Sequence, residues 1–206
     1  MNISQTDFKK VGVFTLNKTR AKCLIKIVHD ENMTKEELGD LCNRAYCITI
    51  NEKIKKIGYT DDNQGIKNIA GYGVGNSGDP STRTVGIHYL IANALTKGDN
   101  VGFYVKWTRS FKIQLEGLTT VTEEVTTSIS GKDLEARCLD DYQKSTGTLP
   151  EWNKQEGGRD RDWAPIIKKV ESSIKGNGDP ITREYADSLE PGFDKDICEL
   201  YLLNRE

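Results

Sequence analysis

The sequence predicts an α+β protein in which a small antiparallel or mixed β-sheet is flanked by helices. Short runs that alternate apolar and polar residues, as half-buried strands do, lie between runs whose apolar residues recur at helical spacing. Two turn signals support this division, since Asn51-Glu52 separates two β-rich runs and Gly98 follows a helical one. A chain of 206 residues is long enough for one domain of typical size plus an appendage.

Composition excludes several classes of protein. The hydrophobic fraction of 36% and the charged fraction of 29% are those of a globular protein rather than a disordered chain. No apolar run reaches the roughly 20 residues that cross a bilayer, and the first ten residues lack the apolar core of a signal peptide. We therefore expect a cytoplasmic protein with no membrane contact.

Cysteine usage and charge narrow the choice further. The five cysteines form no CxxC motif and no Cys/His ligand pattern, so we expect them to be reduced. Residues 1–130 carry 17 basic and 14 acidic side chains, whereas residues 131–206 carry 12 and 17. The positive excess in the first part favours contact with phosphates, although an ordinary solvated surface gives the same pattern.

The first half of the chain contains two predicted hairpins. Residues 8–28 form two short alternating runs, typical of a β-hairpin or an extended arm. Thr34 is a predicted helix N-cap, because Glu37 stands three residues later as in a capping box. The run AYCITINEKIKKIGYT then predicts an antiparallel hairpin that turns at its Asn-Glu pair. Residues 61–79, rich in Gly and Asn, predict one short helix followed by a loop.

The clearest helical signals of the chain lie in GDPSTRTVGIHYLIANALTKG. Asp79 is expected to cap this helix, Pro80 to occupy its first position and Gly98 to end it. The run VGFYVKW that follows is a predicted strand, and residues 111–129 alternate well enough to form one or two more.

A further helix is predicted over GKDLEARCLDDYQKSTG, with Gly147 at its end. Within it Glu135, Leu139 and Tyr142 fall at positions i, i+4 and i+7, so the carboxylate shares a face with apolar residues. A glutamate there is not a purely solvent-exposed charge. Beyond a linker-like EGGRDRD, helices are predicted at 164–175, 180–189 and 194–204.

Three segments, taken in their order and spacing, resemble the GIY-YIG nuclease superfamily, and within it the branch of phage endonuclease II and type II restriction endonucleases. They are YCITINEKIKKIGYT, IANALTKGDNVGFYV and DLEARCLDDYQKSTGTLPEWN. The resemblance implies the GIY-YIG fold. It divides the chain into an N-terminal arm and helix at 1–43, a nuclease domain at 44–155 and a helical accessory segment at 156–206.

The resemblance implies a site that contains two tyrosines of the small sheet. Tyr46 stands at the position of the first motif tyrosine. Lys56 stands at the position of the second, so the motif reads KIG, and Tyr59 follows Gly58 where many members carry a lysine. An exchange of tyrosine and lysine across one turn would restore both a hydroxyl and a cation, whereas degeneration of the motif would restore neither.

The basic residue of the family site departs further from the pattern, because Asn68 stands where an arginine is expected. The other available bases are Lys67, Arg83 and His88. We favour Arg83, since a guanidinium contacts two phosphate oxygens at once, and we expect Lys55 and Lys67 to help bind phosphate. His88 is a candidate proton carrier near neutral pH or, alternatively, a packed residue of the helix.

Glu135 and Asn153 match the family pattern without departure. The resemblance implies that Glu135 binds one Mg²⁺ or Mn²⁺ ion, with water and a substrate phosphate at the remaining positions. It also implies that Asn153 braces the site or only terminates the fold. The implied reaction is hydrolysis of a DNA phosphodiester, in which Tyr46 or Tyr59 orients or deprotonates the water while a cation holds the phosphate.

The function that follows is a metal-dependent endonuclease of double-stranded DNA, of the restriction or phage type. Cutting both strands with one site per chain requires a homodimer or two successive nicks. Two alternatives follow from the departures in the motif. One is a GIY-YIG protein that binds DNA but has lost catalysis, and the other is an interaction module of a phage or mobile element with no affinity for DNA.

Overall fold

The centre of the protein is a five-stranded antiparallel sheet. Its strands are β1 (Lys9–Leu16), β2 (Ile25–His29), β3 (Arg44–Ile50), β4 (Lys53–Thr60) and β5 (Val101–Trp107). They lie in the order β2-β1-β5-β3-β4, so β5 joins the N-terminal hairpin to the hairpin β3–β4. The computed structural model describes the whole chain except residues 18–23, 36, 38–42, 61–71, 73–80, 109, 117–121, 154–162, 204 and 206.

Helices lie on both faces of this sheet. A separate two-stranded ribbon follows β5 in the chain. The ribbon is formed by β6 (Ser110–Glu116) and β7 (Thr122–Ser128). The helices are α1 (Thr82–Thr96), α2 (Gly131–Thr146), α3 (Pro165–Lys175), α4 (Arg183–Asp187) and α5 (Phe193–Leu203). In the described part of the chain, no helix has both the length and the apolar character needed to cross a membrane. The predicted α+β class, with an antiparallel sheet and flanking helices, is confirmed.

The turn between β3 and β4 is the predicted two-residue connection. Asn51 and Glu52 both have positive φ, 47° and 66°, which matches the right-handed twist of the flanking strands. The Asn51 amide secures the turn by donating to the Asp99 carboxylate at 2.8 Å and accepting from the backbone N–H of Asn100 at 3.0 Å. The capping box is also confirmed, because Thr34 and Glu37 exchange side-chain-to-backbone bonds of 3.0 and 3.1 Å.

The start of α1 corrects the prediction. Ser81, not Asp79, caps the helix, and its Oγ accepts a hydrogen bond from the backbone N–H of Thr84 at 3.2 Å. A capping side chain must stand directly before the first helical residue, and that residue is Thr82. Asp79 and Pro80, which the sequence predicted at this helix start, lie outside the described residues. The predicted ends hold, since Gly98 follows α1 with φ of 82° and Gly147 ends α2 with φ of 78°.

One face of the sheet packs against α1. Tyr46 and Ile48 of β3 and Phe103 of β5 belong to the same apolar core as the buried residues of this helix. Because α3 and α5 cover the other side of α1, every residue from Val85 to Ala94 except Leu90 is buried. A helix that is apolar all round needs such a cover, so the C-terminal helices complete this core. The predicted division of the chain at residues 43/44 and 155/156 stays a prediction.

The opposite face of the sheet packs against α2. Cys47 and Ile57 contact a second, smaller core to which α2 contributes Leu139 and Tyr142. Glu135 lies on this side of the helix and is half-buried, as its spacing from Leu139 and Tyr142 predicted.

Gly86 sets how closely α3 and its preceding residues approach α1. A Cβ at this position would lie 2.3 Å from Cζ3 and 2.6 Å from Cε3 of Trp163, whose indole is buried. The absence of a side chain at 86 thus provides the space for the indole. A glycine inside a helix costs about 1 kcal/mol relative to alanine, and here close packing offsets that cost.

We expect Gly86→Ala to destabilise the protein although alanine is the better helix former. Overpacking of a core costs about 1–3 kcal/mol, which exceeds the gain in helix propensity. Urea denaturation should give a lower free energy of unfolding, and adding Trp163→Phe should recover part of the loss. Lys132→Ala, at an exposed helical position, is the control and should change the free energy little. A Gly86→Ala protein as stable as wild type would contradict the close contact.

Candidate active site

Tyr46 lies in β3 with its phenol across the neighbouring strand. It pairs directly with Gly58 of β4, so the two residues share one face of the sheet. A Cβ at position 58 would lie 2.4 Å from the Tyr46 hydroxyl oxygen and 2.3 Å from its Cζ. Only glycine leaves room for this phenol, which therefore extends over the edge strand of the sheet.

The Tyr46 hydroxyl is hydrogen-bonded to the hydroxyl of Tyr72. The two rings meet edge to face, with centroids 6.4 Å apart and an interplanar angle of 69°. Phe103 packs on the other side of Tyr46 at a centroid distance of 5.8 Å. Both tyrosines are buried, with exposed fractions of 9% for Tyr46 and 7% for Tyr72. We call these two residues the tyrosine pair.

Two charged side chains act on the tyrosine pair, Arg83 from the first turn of α1 and Glu135 from α2. Burial raises the pKa of Tyr46 to about 12, while the Tyr72 hydroxyl and Arg83 lower it and Glu135 raises it. Burial and Tyr46 raise the pKa of Tyr72 well above its ordinary value, against the effect of Arg83. Both phenols are therefore neutral at neutral pH, in the field of one cation and one carboxylate.

His88, a residue of α1, anchors the backbone of Tyr72. Its side chain is fully buried, and its Nδ1–H donates to the backbone carbonyl of Tyr72 at 2.6 Å. That partner selects the tautomer, since a carbonyl oxygen only accepts. Burial lowers the pKa of His88 to about 4, although the hydrogen bond to Tyr72 raises it in part. The imidazole is neutral at neutral pH. This favours the interpretation of His88 as a packed residue of the helix over that of a proton carrier.

The segment after α2 holds the edge strand β4 in place. The Asn153 side chain acts like a neighbouring strand: its Oδ1 accepts from the backbone N–H of Ile57 at 2.9 Å, and its Nδ2 donates to the Ile57 carbonyl at 2.7 Å. The backbone N–H of Trp152 donates to the carbonyl of Lys55 at 2.8 Å. These bonds fix the backbone beside Gly58 and, with it, the space that the Tyr46 phenol occupies.

Lys56 is a buried cation on the same face of the sheet as Tyr46. It pairs with Ile48 across the hairpin and has an exposed fraction of only 4%. Its Nζ donates to the Ile57 carbonyl at 3.2 Å, the oxygen that Asn153 also contacts. A buried ammonium group is stable only where such acceptors replace its hydration. The Lys56 amino group thus lies at the carbonyl oxygen to which Asn153 also donates.

The remaining predicted residues lie apart from the tyrosine pair or outside the described residues. Tyr59 pairs with Ala45, lies on the opposite face of the sheet from Tyr46 and is 41% exposed. Lys55 forms an ion pair with Glu151. Lys67 and Asn68 lie outside the described residues. Of the predicted residues, Arg83 and Glu135 are those whose charges act on Tyr46.

Tyr72 is the member of this site that the sequence analysis did not identify. It stands in the Gly- and Asn-rich segment 61–79, for which the sequence predicts one short helix and a loop, and within this segment Tyr72 alone belongs to the described residues. The only signal is the aromatic residue itself, between Gly71 and Gly73. Its partner Tyr46 is 26 residues away in the chain, and the spacing rules of helices and strands join residues only a few positions apart.

The groups around the tyrosine pair fit one hard divalent cation held by a single protein carboxylate. Glu135 would supply the carboxylate oxygen, since it is half-buried and its charge acts on the tyrosine pair. Within the described ranges, no three His, Cys, Asp or Glu side chains form a metal-binding cluster. Mg²⁺ is often bound through one or two carboxylates together with water and substrate phosphate. The residues present therefore suit Mg²⁺ or Mn²⁺ shared with a substrate.

Two solved structures are similar to this chain. No protein-family profile and no curated relative match it. It is similar to a mutant of bacteriophage T4 EndoII, with 24% sequence identity and a TM-score of 0.44, over 73% of this chain and 94% of that one. It is also similar to the restriction endonuclease HPY188I in complex with product DNA, with 16% identity and a TM-score of 0.37, over 75% and 87% of the two chains.

We expect Asn153→Ala to lower the free energy of unfolding by about 1–3 kcal/mol, because it leaves the buried N–H and carbonyl of Ile57 without the Asn153 amide. Urea denaturation measures the change. Asn177→Ala removes an exposed amide and serves as the control, with little expected change. Equal stability of the two variants would show that the Asn153 bonds do not hold β4.

His88 should make the protein less stable in mild acid. An unfolded histidine has a pKa of about 6.5, whereas that of folded His88 is about 4, so between these values only the unfolded chain takes up the proton. The contribution of neutral His88 is complete above about pH 6.5 and declines by up to about 3 kcal/mol as the pH falls toward 4.

The measurement is urea denaturation of wild type and His88→Asn at several pH values. The variant cannot titrate at this position, so its stability should fall less steeply than that of wild type as the pH falls from about 7 to about 4. Parallel curves for the two proteins would contradict the assignment of a buried, neutral imidazole.

Proposed function

We propose that this protein is a divalent-metal-dependent DNA endonuclease that hydrolyses phosphodiester bonds. The observation that carries the proposal is the buried hydrogen bond between Tyr46 and Tyr72, whose hydroxyls lie in the electrostatic field of Arg83 and Glu135. A hydroxyl, a guanidinium and a carboxylate are the groups that the GIY-YIG resemblance assigns to the site. They can orient water, hold a phosphate and bind a metal ion, which phosphodiester hydrolysis requires.

Arg83 is suited to bind the substrate phosphate. It is exposed on the first turn of α1, a turn that contains no acidic residue. The backbone N–H groups at the start of a helix add a partial positive charge to that of the guanidinium. A phosphate that approaches Arg83 thereby meets two sources of positive charge beside the tyrosine pair.

Tyr46 is suited to orient the attacking water. Because its pKa is about 12, it acts at neutral pH as a hydroxyl that donates and accepts hydrogen bonds rather than as a free phenolate. The oxygen of the water forms the new bond to phosphorus, and the bond from phosphorus to the departing oxygen breaks. The water gives up one proton to solvent, and the departing oxygen takes up one proton from solvent. Arg83 neutralises the negative charge that grows on the phosphate oxygens during this step.

Glu135 would hold the Mg²⁺ or Mn²⁺ ion. When bound, the ion supplies positive charge to the departing alkoxide oxygen and to the phosphate. The helix that carries Glu135 packs against the sheet through Leu139 and Tyr142, so the backbone that holds the carboxylate is in place before substrate arrives. A preformed ligand avoids reorganisation during the reaction.

The substrate in this proposal is double-stranded DNA, and the biological role is that of a restriction or phage nuclease acting in the cytoplasm. Residues 156–206 carry 8 basic and 12 acidic side chains, which disfavours direct contact of this segment with phosphates. A homodimer would place one site on each strand, whereas a monomer would nick the strands in succession.

The experiment is incubation of supercoiled plasmid with wild type and Glu135→Ala at low salt, with and without Mg²⁺ or Mn²⁺. We expect nicked or linear DNA only when metal and Glu135 are both present, and a fall in rate of at least about 100-fold in the variant. Asp140→Asn removes an exposed carboxylate of the same helix, paired with Lys144, and should leave cleavage unchanged.

Cleavage by Glu135→Ala at the wild-type rate would contradict the role of this carboxylate. DNA binding that weakens with salt, without cleavage by wild type in either metal, would favour the catalytically degenerate protein. Absence of both binding and cleavage would favour the interaction module.

A further inference from the structure

Tyr72 lies inside the candidate site although it belongs to none of the motifs that carry the GIY-YIG resemblance. Its hydroxyl is bonded to that of Tyr46, and its ring is buried edge to face against the Tyr46 ring. Arg83 and Glu135 act on Tyr72 as they act on Tyr46. Tyr72 therefore shares the electrostatic environment of the residue that we propose orients water.

Either hydroxyl of the tyrosine pair can be the donor in this bond. The geometry therefore allows the arrangement in which Tyr72 donates and Tyr46 accepts, and the bond lowers the pKa of Tyr46 and raises that of Tyr72, in agreement with that arrangement. A phenol has one O–H donor and two acceptor lone pairs. With the Tyr72 donor on one lone pair, Tyr46 keeps its own O–H and a further lone pair for other partners.

The backbone of Tyr72 is held by the helix that carries Arg83. His88, five residues after Arg83 on α1, donates to the Tyr72 carbonyl at 2.6 Å, and its imidazole is fully buried. Because the surrounding core packs α1 on both sides, this anchor cannot shift without moving the helix. Three parts of the chain thus meet at the tyrosine pair: β3 through Tyr46, Tyr72 itself, and α1 through the bond from His88 to the Tyr72 carbonyl.

We infer that Tyr72 is a positioning residue of the proposed nuclease, whose hydroxyl donates to the Tyr46 hydroxyl and leaves the Tyr46 O–H for the water or phosphate of the substrate. Tyr72 supplies a second tyrosine from outside the sheet. Within the sheet, Lys56 stands at the position where the GIY-YIG resemblance expects the second motif tyrosine. The catalytic consequence rests on the proposed function, whereas the contact within the tyrosine pair does not.

The first test is Tyr72→Phe, which removes only the hydroxyl. Plasmid cleavage should show kcat lowered by about 10–100-fold with KM unchanged, because Tyr72 does not touch the substrate. Tyr185→Phe, in the C-terminal helix α4, is the matched control and should cleave at the wild-type rate. Wild-type kcat in Tyr72→Phe would overturn the inference.

The double variant Tyr46→Phe/Tyr72→Phe separates positioning from direct catalysis. Since Tyr72 acts through Tyr46, the double variant should cleave no more slowly than Tyr46→Phe alone. Multiplication of the two single losses would overturn the positioning role, because it would mean that Tyr72 acts on the substrate independently. Thermal melting of each variant establishes that the compared proteins are folded.

A second pair of variants tests the anchor at His88. His88→Leu removes the donor to the Tyr72 carbonyl and should lower kcat in the same way as Tyr72→Phe. His88→Asn replaces Nδ1–H with an amide N–H and should restore part of the activity. Equal activities of the Leu and Asn variants would contradict the anchoring of Tyr72 by this bond.

A measurement without DNA distinguishes failure of this inference from failure of the proposed function. Labelling with 3-fluorotyrosine brings phenol ionisation into a milder pH range and gives each tyrosine a ¹⁹F signal, with Tyr46 assigned from Tyr46→Phe. Loss of the Tyr72 donor should move the Tyr46 titration up by about one pH unit. An unchanged titration would overturn the inference even in an active enzyme. A shift in a protein that does not cleave DNA would uphold the positioning and reject only the nuclease.

Discussion

The approach of the Tyr46 phenol to Gly58 is the contact on which the candidate site depends. A Cβ at position 58 would lie 2.4 Å from the Tyr46 hydroxyl oxygen, so the phenol crosses the edge strand only because that strand carries no side chain there. The other groups of the site interact with this hydroxyl. Tyr72 is bonded to it, and Arg83 and Glu135 act on it from two helices on opposite faces of the sheet.

Two features keep that contact in place. On one side, Asn153 and Trp152 bond to the outer edge of β4 and prevent the strand that contains Gly58 from shifting. On the other side, α1 is buried between the sheet and the C-terminal helices, and its His88 holds the Tyr72 backbone. The helices after residue 164 therefore contribute to the site through packing, without supplying any of the residues around the tyrosine pair.

Local signals in the sequence predicted most of the secondary structure. The hairpin turn at Asn51-Glu52, the capping box at Thr34 and the glycines that end α1 and α2 all lie where short-range steric and hydrogen-bonding rules place them. The exception was the N-cap of α1. Asp79, Pro80 and Ser81 all suit a helix start, and the choice of Ser81 depends on where the packed helix begins.

For the candidate site, the sequence by itself determined the chemical groups available, the strands and helices that carry them and the half-buried position of Glu135. The tertiary structure alone decided which of these groups meet. Tyr59 lies on the opposite face of the sheet from Tyr46, His88 is buried and neutral, and Tyr72, which no motif marked, completes the tyrosine pair. The physical reason is range: periodicity and capping act over a few residues, whereas the bond from Tyr46 to Tyr72 spans 26 residues and depends on how α1 packs against the sheet.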